Sequence, residues 1–304
     1  MEKVIISILD YNQEKDTLSC LHSLDQLVTD NFTIEIIIID NYPKVTFSLG
    51  NEKFRHPITI VKTKENKGFS GGHNIGIKKA LGMEADYVIV LNNDTRVDKN
   101  LVKELVNASR ADKKRGAIVP KIYFEKGHEY HKDRYKSHEL GKVIWYAGGA
   151  MDWNNINGSH RGVDEVDSGQ YDTPSQTDLI TGCCVLFPRH VLEKTKGFDD
   201  RFFLYYEDAD LNERIKKLGL SIWYQPTAML WHINAGATGG SGSVLQDYFI
   251  SRNRMLFGMR YARLRTKIAL VRESLRLIKT GREWQKKGVR DYYKGKFGRG
   301  SYSV

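Results

Sequence analysis

This sequence of 304 residues is poor in cysteine, and that shortage argues against a fold stabilised by disulfides. It contains three cysteines, Cys20, Cys183 and Cys184, an odd number in which two are adjacent. Adjacent cysteines rarely form a bridge with each other, and the spacing matches no zinc-binding pattern. We therefore expect a chain that folds in a reducing, cytoplasmic compartment.

The sequence also lacks a long hydrophobic run. No stretch approaches the roughly 18–20 apolar residues that a membrane-spanning helix needs. Residues 1–7 lead straight into a strand-like run, without the organisation of a signal peptide. With 40% hydrophobic and 28% charged residues, the composition is typical of a globular protein, and the length allows one large domain or two small ones.

Acidic residues are scarce at the C-terminal end. Residues 251–304 carry 16 Lys and Arg against three acids, a surplus of 13, whereas the whole chain has a net charge of +10. Such asymmetry points to an anionic partner for this segment, either a membrane surface or nucleic acid. Since no nucleic-acid-binding motif accompanies the charge, a nucleic-acid-binding protein that uses the basic tail is retained only as an alternative.

The first 120 residues alternate between strand-like and helix-like patterns. Short apolar runs predict strands, and segments with apolar residues at helical spacing predict helices. The predicted strands are 4–9, 34–39, 58–61, 87–91 and 117–119, and the predicted helices are 16–27, 71–81 and 101–109. Strands that alternate with helices predict an α/β fold with a parallel sheet covered on both faces.

Polar residues follow three of the predicted strands, at Asp10-Tyr11-Asn12, Asp40-Asn41 and Asn92-Asn93-Asp94. In open sheets of this type, ligands bind beyond the carboxyl ends of the strands. Each carboxylate alone could cap the next helix or turn, but two such tips in one sheet favour a binding site. Oxygen ligands gathered at one edge suit Mg²⁺ or Mn²⁺, with substrate phosphates completing the coordination shell.

Two stretches are rich in glycine. The loop from Asn66 to Gly76 has four glycines from Gly68 onward, which permit tight turns and a close approach of the backbone to a ligand. It matches neither the dinucleotide-binding nor the Walker pattern, so it indicates a binding loop without identifying the ligand. The second stretch, 236–242, predicts either a lid over the bound ligand or a passive linker.

The most informative run extends from Glu207 to Leu218. It opens with Glu207, Asp208 and Asp210, directly after the largely aromatic residues 202–206, and continues with apolar residues at helical spacing. Acids in the first turn stabilise a helix N-terminus, so part of this cluster has a purely structural explanation. A carboxylate beside apolar side chains tends to have a raised pKa, which suits a general base.

Taken together, these motifs resemble the family 2 glycosyltransferases, the inverting GT-A class of nucleotide-sugar enzymes, and in particular bacterial rhamnosyltransferases and related enzymes of cell-surface polysaccharide synthesis. The matching stretches are Asp40-Asn41, the loop 66–76, Leu91 to Thr95, Thr181-Gly182-Cys183, Gly197-Phe198-Asp199 and 208–211, Trp231-His232, and Tyr248 with 252–254. The resemblance implies a GT-A domain over residues 1–243, with a Rossmann-like, mostly parallel sheet and flanking helices. A basic helical region over residues 244–304 would follow it.

The resemblance also implies roles for particular residues. Asp208 would be the general base that deprotonates the acceptor hydroxyl, with Glu207 in support. Asp94 and His232 would bind the divalent metal, Mg²⁺ or Mn²⁺, although Asn92 replaces the first acid of the family's DxD motif. The donor-binding residues that it implies are Tyr11, Asp40, Asn66, Gly71, Asn74, Asn92, Asn93, Arg252 and Arg254.

The implied activity is metal-dependent transfer of a sugar, with inversion, from a nucleotide-sugar donor to a glycan or lipid-linked acceptor in the cell envelope. The donor would be dTDP-rhamnose or a UDP-hexose. Residues 125–177 would border the acceptor, where Trp145 and Trp153 either stack on sugars or lie in the core. A nucleotidyltransferase, which has a similar sheet and metal site but releases pyrophosphate, is the enzymatic alternative.

Residues 244–294 have the pattern of helices and contain an apolar stripe surrounded by Arg and Lys. The stripe consists of Leu264, Ile268, Val271, Leu275 and Ile278. One interpretation is peripheral contact with anionic lipid at the inner face of the cell membrane. The other is packing of this helix against the domain or against a second subunit of a homo-oligomer.

Overall fold

A computed structural model of the protein describes residues 1–233 and 242–303. The described strands are β1 Glu2–Asp10, β2 Phe32–Asp40, β3 Ile58–Lys62, β4 Tyr87–Asn92, β5 Thr95–Val97, β6 Arg115–Phe124, β7 Ile144–Tyr146, β8 Gly149–Asp152, β9 Asn157–His160, β10 Ser175–Thr177, β11 Cys184–Pro188 and β12 Ser221–His232. The described α-helices are α1 Glu14–Leu24, α2 Gly68–Gly82, α3 Leu101–Ala111, α4 Arg189–Thr195, α5 Glu207–Lys217, α6 Val244–Tyr261, α7 Leu264–Thr280 and α8 Glu283–Tyr293. The predicted lid at 236–242 lies, apart from Gly242, outside the described residues. No helix in the described ranges is long and apolar enough to cross a membrane.

The central sheet has the strand order β10-β12-β6-β11-β4-β1-β2-β3, with β5 paired to β12 and β7 paired to β6. Strands β1 to β4 run parallel, and so do β6 and β12. The α/β fold with a mostly parallel sheet is therefore confirmed. The local pattern did not show that β11 runs antiparallel between β4 and β6, so the predicted fourth and fifth strands are not neighbours.

The apolar strands are buried because helices cover both faces of the sheet. Four consecutive isoleucines in β2, residues 36–39, are at most 1% exposed. Such a continuous apolar run is typical of a strand that has no solvent-facing side. From α1, Leu21 and Leu24 contribute to the same core. This rigid sheet places the polar residues that follow β1, β2 and β4 along one edge.

Helix α6 packs on the part of the chain that precedes the C-terminal helices. Phe249 of α6 is buried and stacks on Phe203, with 5.0 Å between ring centroids, and Phe257 stacks on Trp153 at 5.8 Å. Trp153 thus packs against α6, which agrees with the interpretation that this side chain belongs to the core. The division into a domain at 1–243 and a helical region at 244–304 stays a prediction, and these contacts cross it.

Helix α7 packs with a face other than its apolar stripe. Its buried residues are Thr266, Leu270 and Ser274, which recur every four positions. Leu264, Ile268 and Leu275 are exposed by 74%, 46% and 53%. Three of the five residues of the predicted stripe therefore face outward, whereas Val271 packs against the buried cluster that contains Leu270.

Candidate active site

The register of the sheet places three polar residues side by side at the carboxyl edge. Asp10 pairs with Asp40 between β1 and β2, and Leu9 pairs with Asn92 between β1 and β4. Beyond Asn92, the side chain of Asn93 donates to Thr17 Oγ1 at 2.9 Å. Thr17 donates in turn to the Asp10 carboxylate at 2.7 Å. Hydrogen bonds thus link the tips of two neighbouring strands.

Asp40 is fully buried and organises the loop that follows β2. Its Oδ2 accepts the backbone N–H of Phe47 at 3.0 Å and Lys62 Nζ at 3.1 Å. Tyr11, which is 44% exposed, packs edge-on against Tyr42 of the same loop, with 5.1 Å between centroids. Asp40 therefore holds the loop whose Tyr42 packs against the partly exposed Tyr11. Contact of Asp40 or Tyr11 with a nucleotide base stays a prediction.

The glycine-rich loop forms the start of α2 and is fastened on both sides. Asn66 Oδ1 accepts the N–H of Gly68 at 2.8 Å and Asn41 Nδ2 at 3.1 Å. Asn74 donates to the carbonyl of Phe198 at 2.9 Å and accepts its N–H at 2.8 Å. Gly71, also expected to bind the donor, lies in the first turn of α2. Asn66 and Asn74 thus shape this loop, and donor binding by the three residues stays a prediction.

Asp94 and His232 meet although 138 residues separate them in the sequence. β5 pairs antiparallel with β12, which sets Thr95 opposite His232 and brings Asp94 Oδ1 within 3.2 Å of His232 Nε2. The N–H of Ile233 donates to the Asp94 carbonyl at 2.9 Å. The structure therefore brings together the two residues expected to bind a metal.

The donor set of this pair fits one divalent ion. Two ligands of an octahedral ion with bonds of about 2.1 Å lie about 3 Å apart, close to the 3.2 Å observed between the two atoms. The described residues contain no cluster of three or more His, Cys, Asp and Glu side chains able to hold a metal. A bound ion would thus need other ligands, as Mg²⁺ and Mn²⁺ do when they take substrate phosphates.

A strained aromatic turn leads into the acid cluster. Phe203, Tyr205 and Tyr206 all have positive φ, at 67°, 69° and 69°, a conformation that costs a residue with a side chain about 1–3 kcal/mol. The carbonyl of Phe203 accepts the N–H of Phe69 at 2.7 Å. The turn directs the chain into α5, which begins at Glu207.

Asn253 and Arg252 of α6 hold this turn through its carbonyl groups. Asn253 Nδ2 donates to the carbonyls of Phe202, Leu204 and Tyr205 at 2.8, 2.8 and 2.9 Å. Arg252 is fully buried and donates to three backbone carbonyls, those of residues 201, 202 and 298. Asn253 belongs to a stretch that matches the family, but the sequence assigned no role to it, in contrast to the two arginines beside it.

The contacts of Arg252 and Arg254 do not direct either guanidinium toward the carboxyl edge of the sheet. The guanidinium of Arg252 is occupied by carbonyl groups because it is buried beneath the aromatic turn. Arg254 donates to the carbonyl of Asn155 at 2.9 Å and pairs with Glu273 of α7 at 2.8 Å. Both arginines thus have structural partners here, and their contact with a diphosphate stays a prediction.

Glu207 and Asp208 are adjacent acids in unlike surroundings. Burial, together with the charge of Asp208, raises the pKa of Glu207 well above its usual range, and Glu207 Oε2 is buried without a hydrogen-bond partner among the described residues. Burial raises the pKa of Asp208 to about 6, although the N–H groups of Ala209 and Gly182 donate to it and oppose the rise. Hydrogen bonds thus favour the ionised form of Asp208, whereas burial without a partner at Oε2 disfavours the ionised form of Glu207.

Asp210, the third acid of the cluster, is engaged in a buried ion-pair network. It accepts Arg214 Nε and the hydroxyl of Tyr261, both at 2.8 Å, and also pairs with Arg260. Arg260 also donates to Asp199 at 2.9 Å. These contacts fasten α5 to α6, so Asp210 supports the helix that carries Asp208.

Asp208 lines a cavity of about 210 Å³ between the aromatic turn and the β8–β9 hairpin. Tyr205 and Tyr206 border it from the turn, and Met151, Gly158 and His160 border it from the hairpin. A larger cavity of about 380 Å³, lined by Ala150, Ser159 and Arg161 among others, contains none of the predicted site residues. The chemistry therefore points to the smaller cavity.

His160, which the sequence analysis did not single out, offers this cavity a hydrogen-bond acceptor. Its Nδ1 lies 3.2 Å from the carbonyl oxygen of Trp145 and must donate to it, which leaves Nε2 unprotonated in the neutral ring. Burial lowers the pKa of His160 to about 4, so the ring is neutral at physiological pH. An unprotonated Nε2 can accept a hydrogen bond from a sugar hydroxyl.

Trp145 connects the cavity to the Asp94–His232 pair. Its ring lies 4.4 Å from that of His160 and 4.7 Å from that of His232, both in edge-on contacts. One aromatic side chain thus separates a wall of the cavity from the candidate metal ligands. A nucleotide sugar at the carboxyl edge and an acceptor in the cavity would therefore meet near this residue.

Comparisons with known proteins identify the family to which this chain belongs. Residues 5–195 match the family described as glycosyl transferase family 2. The chain is 29% identical over 197 residues to the N-acetylglucosaminyl-diphospho-decaprenol L-rhamnosyltransferase of Mycobacterium tuberculosis, which covers 61% of this chain and 62% of that protein. It is 21% identical over 257 residues to the low-salt glycan biosynthesis hexosyltransferase Agl10 of Haloferax volcanii, with coverage of 84% and 75%. The chain thus spans less than two thirds of the length of the first of these relatives.

A solved structure shows the same architecture. The crystal structure of GalNAc-T7 with UDP, GalNAc and Mn²⁺ superposes with a TM-score of 0.61 at 16% identity, over 89% of this chain and 54% of that one. At this identity the likeness concerns the fold, and it confirms the GT-A fold expected from the motifs. Because the family match covers more than half of the chain, this protein belongs to glycosyl transferase family 2.

Proposed function

We propose that this chain is a metal-dependent, inverting glycosyltransferase that transfers a sugar from a nucleotide-sugar donor to an acceptor of cell-surface polysaccharide synthesis. The observation that carries the proposal is the position of Asp208. This carboxylate lines a cavity that His160 also lines, and the ring of Trp145 contacts both His160 and His232 of the Asp94–His232 pair. A proton acceptor and candidate metal ligands thus flank one reaction space.

Asp208 would act as the general base of the transfer. It takes the proton of an acceptor hydroxyl as that oxygen forms a bond to the anomeric carbon of the donor sugar. The bond from that carbon to the diphosphate breaks, and its electron pair leaves with the nucleoside diphosphate. Because attack and departure occur on opposite faces, the configuration inverts. A positioned carboxylate of this kind contributes about 10²–10⁴-fold to the rate.

Asp94 and His232 would hold the metal, Mg²⁺ or Mn²⁺, with the diphosphate of the donor as a further ligand. When bound, such an ion neutralises the charge that develops on a leaving diphosphate. The residues of this chain hold the site in place through β5–β12 pairing, and Trp145 shields His232 on one side.

The names of the relatives support dTDP-rhamnose or a UDP-hexose as the donor and a glycan or lipid-linked sugar as the acceptor. The Mycobacterium tuberculosis relative is named for L-rhamnose as the sugar and for N-acetylglucosaminyl-diphospho-decaprenol as the acceptor. We also propose that the enzyme is cytoplasmic and reaches a lipid-linked acceptor as a peripheral protein at the inner face of the cell membrane. Assembly of a homo-oligomer through α7 is the alternative use of the same surface.

A panel of UDP-, dTDP- and GDP-sugars, with and without Mn²⁺, tests the proposal by thermal denaturation. We expect a subset of donors to raise the Tm only when metal is present, since a ligand that binds the folded state stabilises it. With N-acetylglucosaminyl-diphospho-prenol as the acceptor probe, nucleoside diphosphate should be released and the product should have inverted anomeric configuration. Release of pyrophosphate would instead identify a nucleotidyltransferase, and failure of every donor to raise the Tm would contradict the proposal.

A further inference from the structure

Exposed apolar side chains run along the outside of α7. Leu264, Ile268 and Leu275 of this face are exposed by 74%, 46% and 53%, and Val271 and Ile278 of the same stripe are partly exposed. At 3.6 residues per turn, these five positions fall on one side of the helix. The adjoining side packs through Thr266, Leu270 and Ser274, and Val271, at the border between the two, packs against the buried cluster that contains Leu270.

Positive charge borders this face. At the same helical spacing, exposed basic side chains lie along one border of the stripe, namely Arg265, Arg272, Arg276 and Lys279. The single acid of α7, Glu273, lies near the packed side and pairs with Arg254 at 2.8 Å. An apolar stripe edged by Arg and Lys is complementary to an anionic lipid surface, which accepts both the apolar side chains and the positive charge.

The packed side of α7 lies against the hairpin that walls the acceptor cavity. Thr266 donates to the carbonyl of Trp153 at 3.2 Å, and the side chains of Leu270 and Ile156 meet beside Gly258. Trp153 and Ile156 belong to the turn between β8 and β9, and residues of both strands line the cavity. Since a helix is about 10–12 Å across, the outer face of α7 lies roughly that distance from the turn.

We propose that the exposed stripe of α7 docks on an anionic membrane surface and thereby presents the acceptor cavity to a lipid-linked sugar near the bilayer. The exposed apolar and basic side chains of α7 support this docking face. Only the purpose of docking, delivery of a lipid-linked acceptor, rests on the proposed function. Docking by this stripe leaves the packed side of α7 and its contacts to the hairpin unchanged.

Sedimentation with vesicles tests the docking face on the full-length protein. The wild type should bind vesicles of phosphatidylglycerol and phosphatidylcholine but not vesicles of phosphatidylcholine alone, and binding should weaken as salt is raised. Ile268→Glu with Leu275→Glu should abolish binding. Arg272→Glu with Arg276→Glu should weaken it at least about fivefold per residue. The matched control, Lys113→Glu with Lys136→Glu, changes the net charge equally at exposed sites elsewhere and should bind almost as the wild type does.

The results of sedimentation and gel filtration either support or overturn the proposed docking face. Loss of binding in both α7 variants with retention in the control supports the stripe as the docking face. Equal recovery of the wild type with both lipids, or α7 variants that bind like the wild type, overturns it. A wild-type dimer in gel filtration that Ile268→Glu with Leu275→Glu dissociates, without vesicle binding, assigns the stripe to a second copy of this chain and also overturns it.

The test also separates this inference from the proposed function. The α7 variants leave the residues of the active site intact, so metal-dependent stabilisation by a donor should be unchanged in them. Donor stabilisation without vesicle binding would refute the docking face alone. Vesicle binding without stabilisation by any nucleotide sugar would refute the proposed function alone.

Discussion

The two sides of the active site are built in different ways. On the donor side, regular strands end at one edge, and their register alone places Asp10, Asp40 and Asn92 next to one another. On the acceptor side, Asp208 follows a turn in which three residues with side chains adopt positive φ. Strand pairing thus determines the geometry of the proposed donor side. The conformation of the turn on the proposed acceptor side is stabilised only by contacts with other parts of the chain.

Those other parts lie far away in the sequence. Asn253 donates to three carbonyls of the turn from about 50 positions further on, and Phe249 stacks on Phe203. Each left-handed residue is locally unfavourable, so the turn depends on α6. Tertiary contacts thus position Asp208, the proposed base, whereas sheet pairing positions the candidate metal ligands.

The largest expected effect is that of Asp208→Asn, which removes the base and leaves both frameworks in place. Transfer should fall by about 10²–10⁴-fold, while metal-dependent stabilisation by the donor is retained. In the wild type, kcat/KM should rise with pH up to about 6, because burial raises the pKa of Asp208 to about 6 and only the ionised form accepts a proton. Near-normal turnover of this variant, together with an inactive Glu207→Gln, would assign the base to Glu207.

Asp94→Ala should impair the donor side alone. Without this carboxylate, addition of Mn²⁺ should no longer raise the Tm of the protein in the presence of a nucleotide sugar. Transfer should fall by at least about 10²-fold, since charge stabilisation by a metal accounts for several kcal/mol. Asp98→Ala, on the strand-to-helix connection nearby, serves as the control. If metal strengthens donor binding in Asp94→Ala as it does in the wild type, Asp94 is not a ligand.

Asn253→Ala should impair the acceptor side alone. It leaves the carbonyls of Phe202, Leu204 and Tyr205 without this donor, and a displacement of about 1 Å at a reacting group can cost about 10²-fold in rate. Transfer should therefore fall by about that factor, with donor-induced stabilisation preserved. Asn107→Ala, at an exposed site of α3, should change neither quantity. Equal loss of donor binding in Asn253→Ala would show that the two sides are not built independently.

The smallest expected effect is on stability and concerns Glu207. Because burial raises its pKa in the folded state, the folded protein binds this proton more tightly than the unfolded chain does. The free energy of unfolding therefore falls as pH rises above the ordinary value of 4.5, until the pKa of the folded state is reached.

Glu207→Gln abolishes that proton binding, so its stability relative to the wild type should increase between pH 4.5 and pH 7. Denaturant unfolding at a series of pH values measures this difference, with the exposed Glu14→Gln as the control. A difference that stays constant with pH would show that Glu207 titrates normally in the folded protein.

Much of the fold and part of the site were predictable from the sequence. The predicted strands and helices of the first 120 residues are all present, with ends that differ by a few positions, because periodicity reports local burial. The strand tips and the acid cluster were visible as polar groups directly after apolar runs. His160 and Asn253 gave no such signal, because a lone histidine or asparagine acquires its role only from partners distant in the chain.

The sequence by itself determined the alternation of strands and helices, the polar carboxyl edge and the start of α5 at the acids, since each depends on neighbours within a few residues. The tertiary structure alone decided the rest. It inserted β11 between β4 and β6 and brought Asp94 close to His232. It also engaged the guanidinium of Arg252 in hydrogen bonds to backbone carbonyls, and it left three apolar residues of α7 exposed. The physical reason is that a spacing of three and four shows that a helix has an apolar face, whereas only packing determines which face finds a partner.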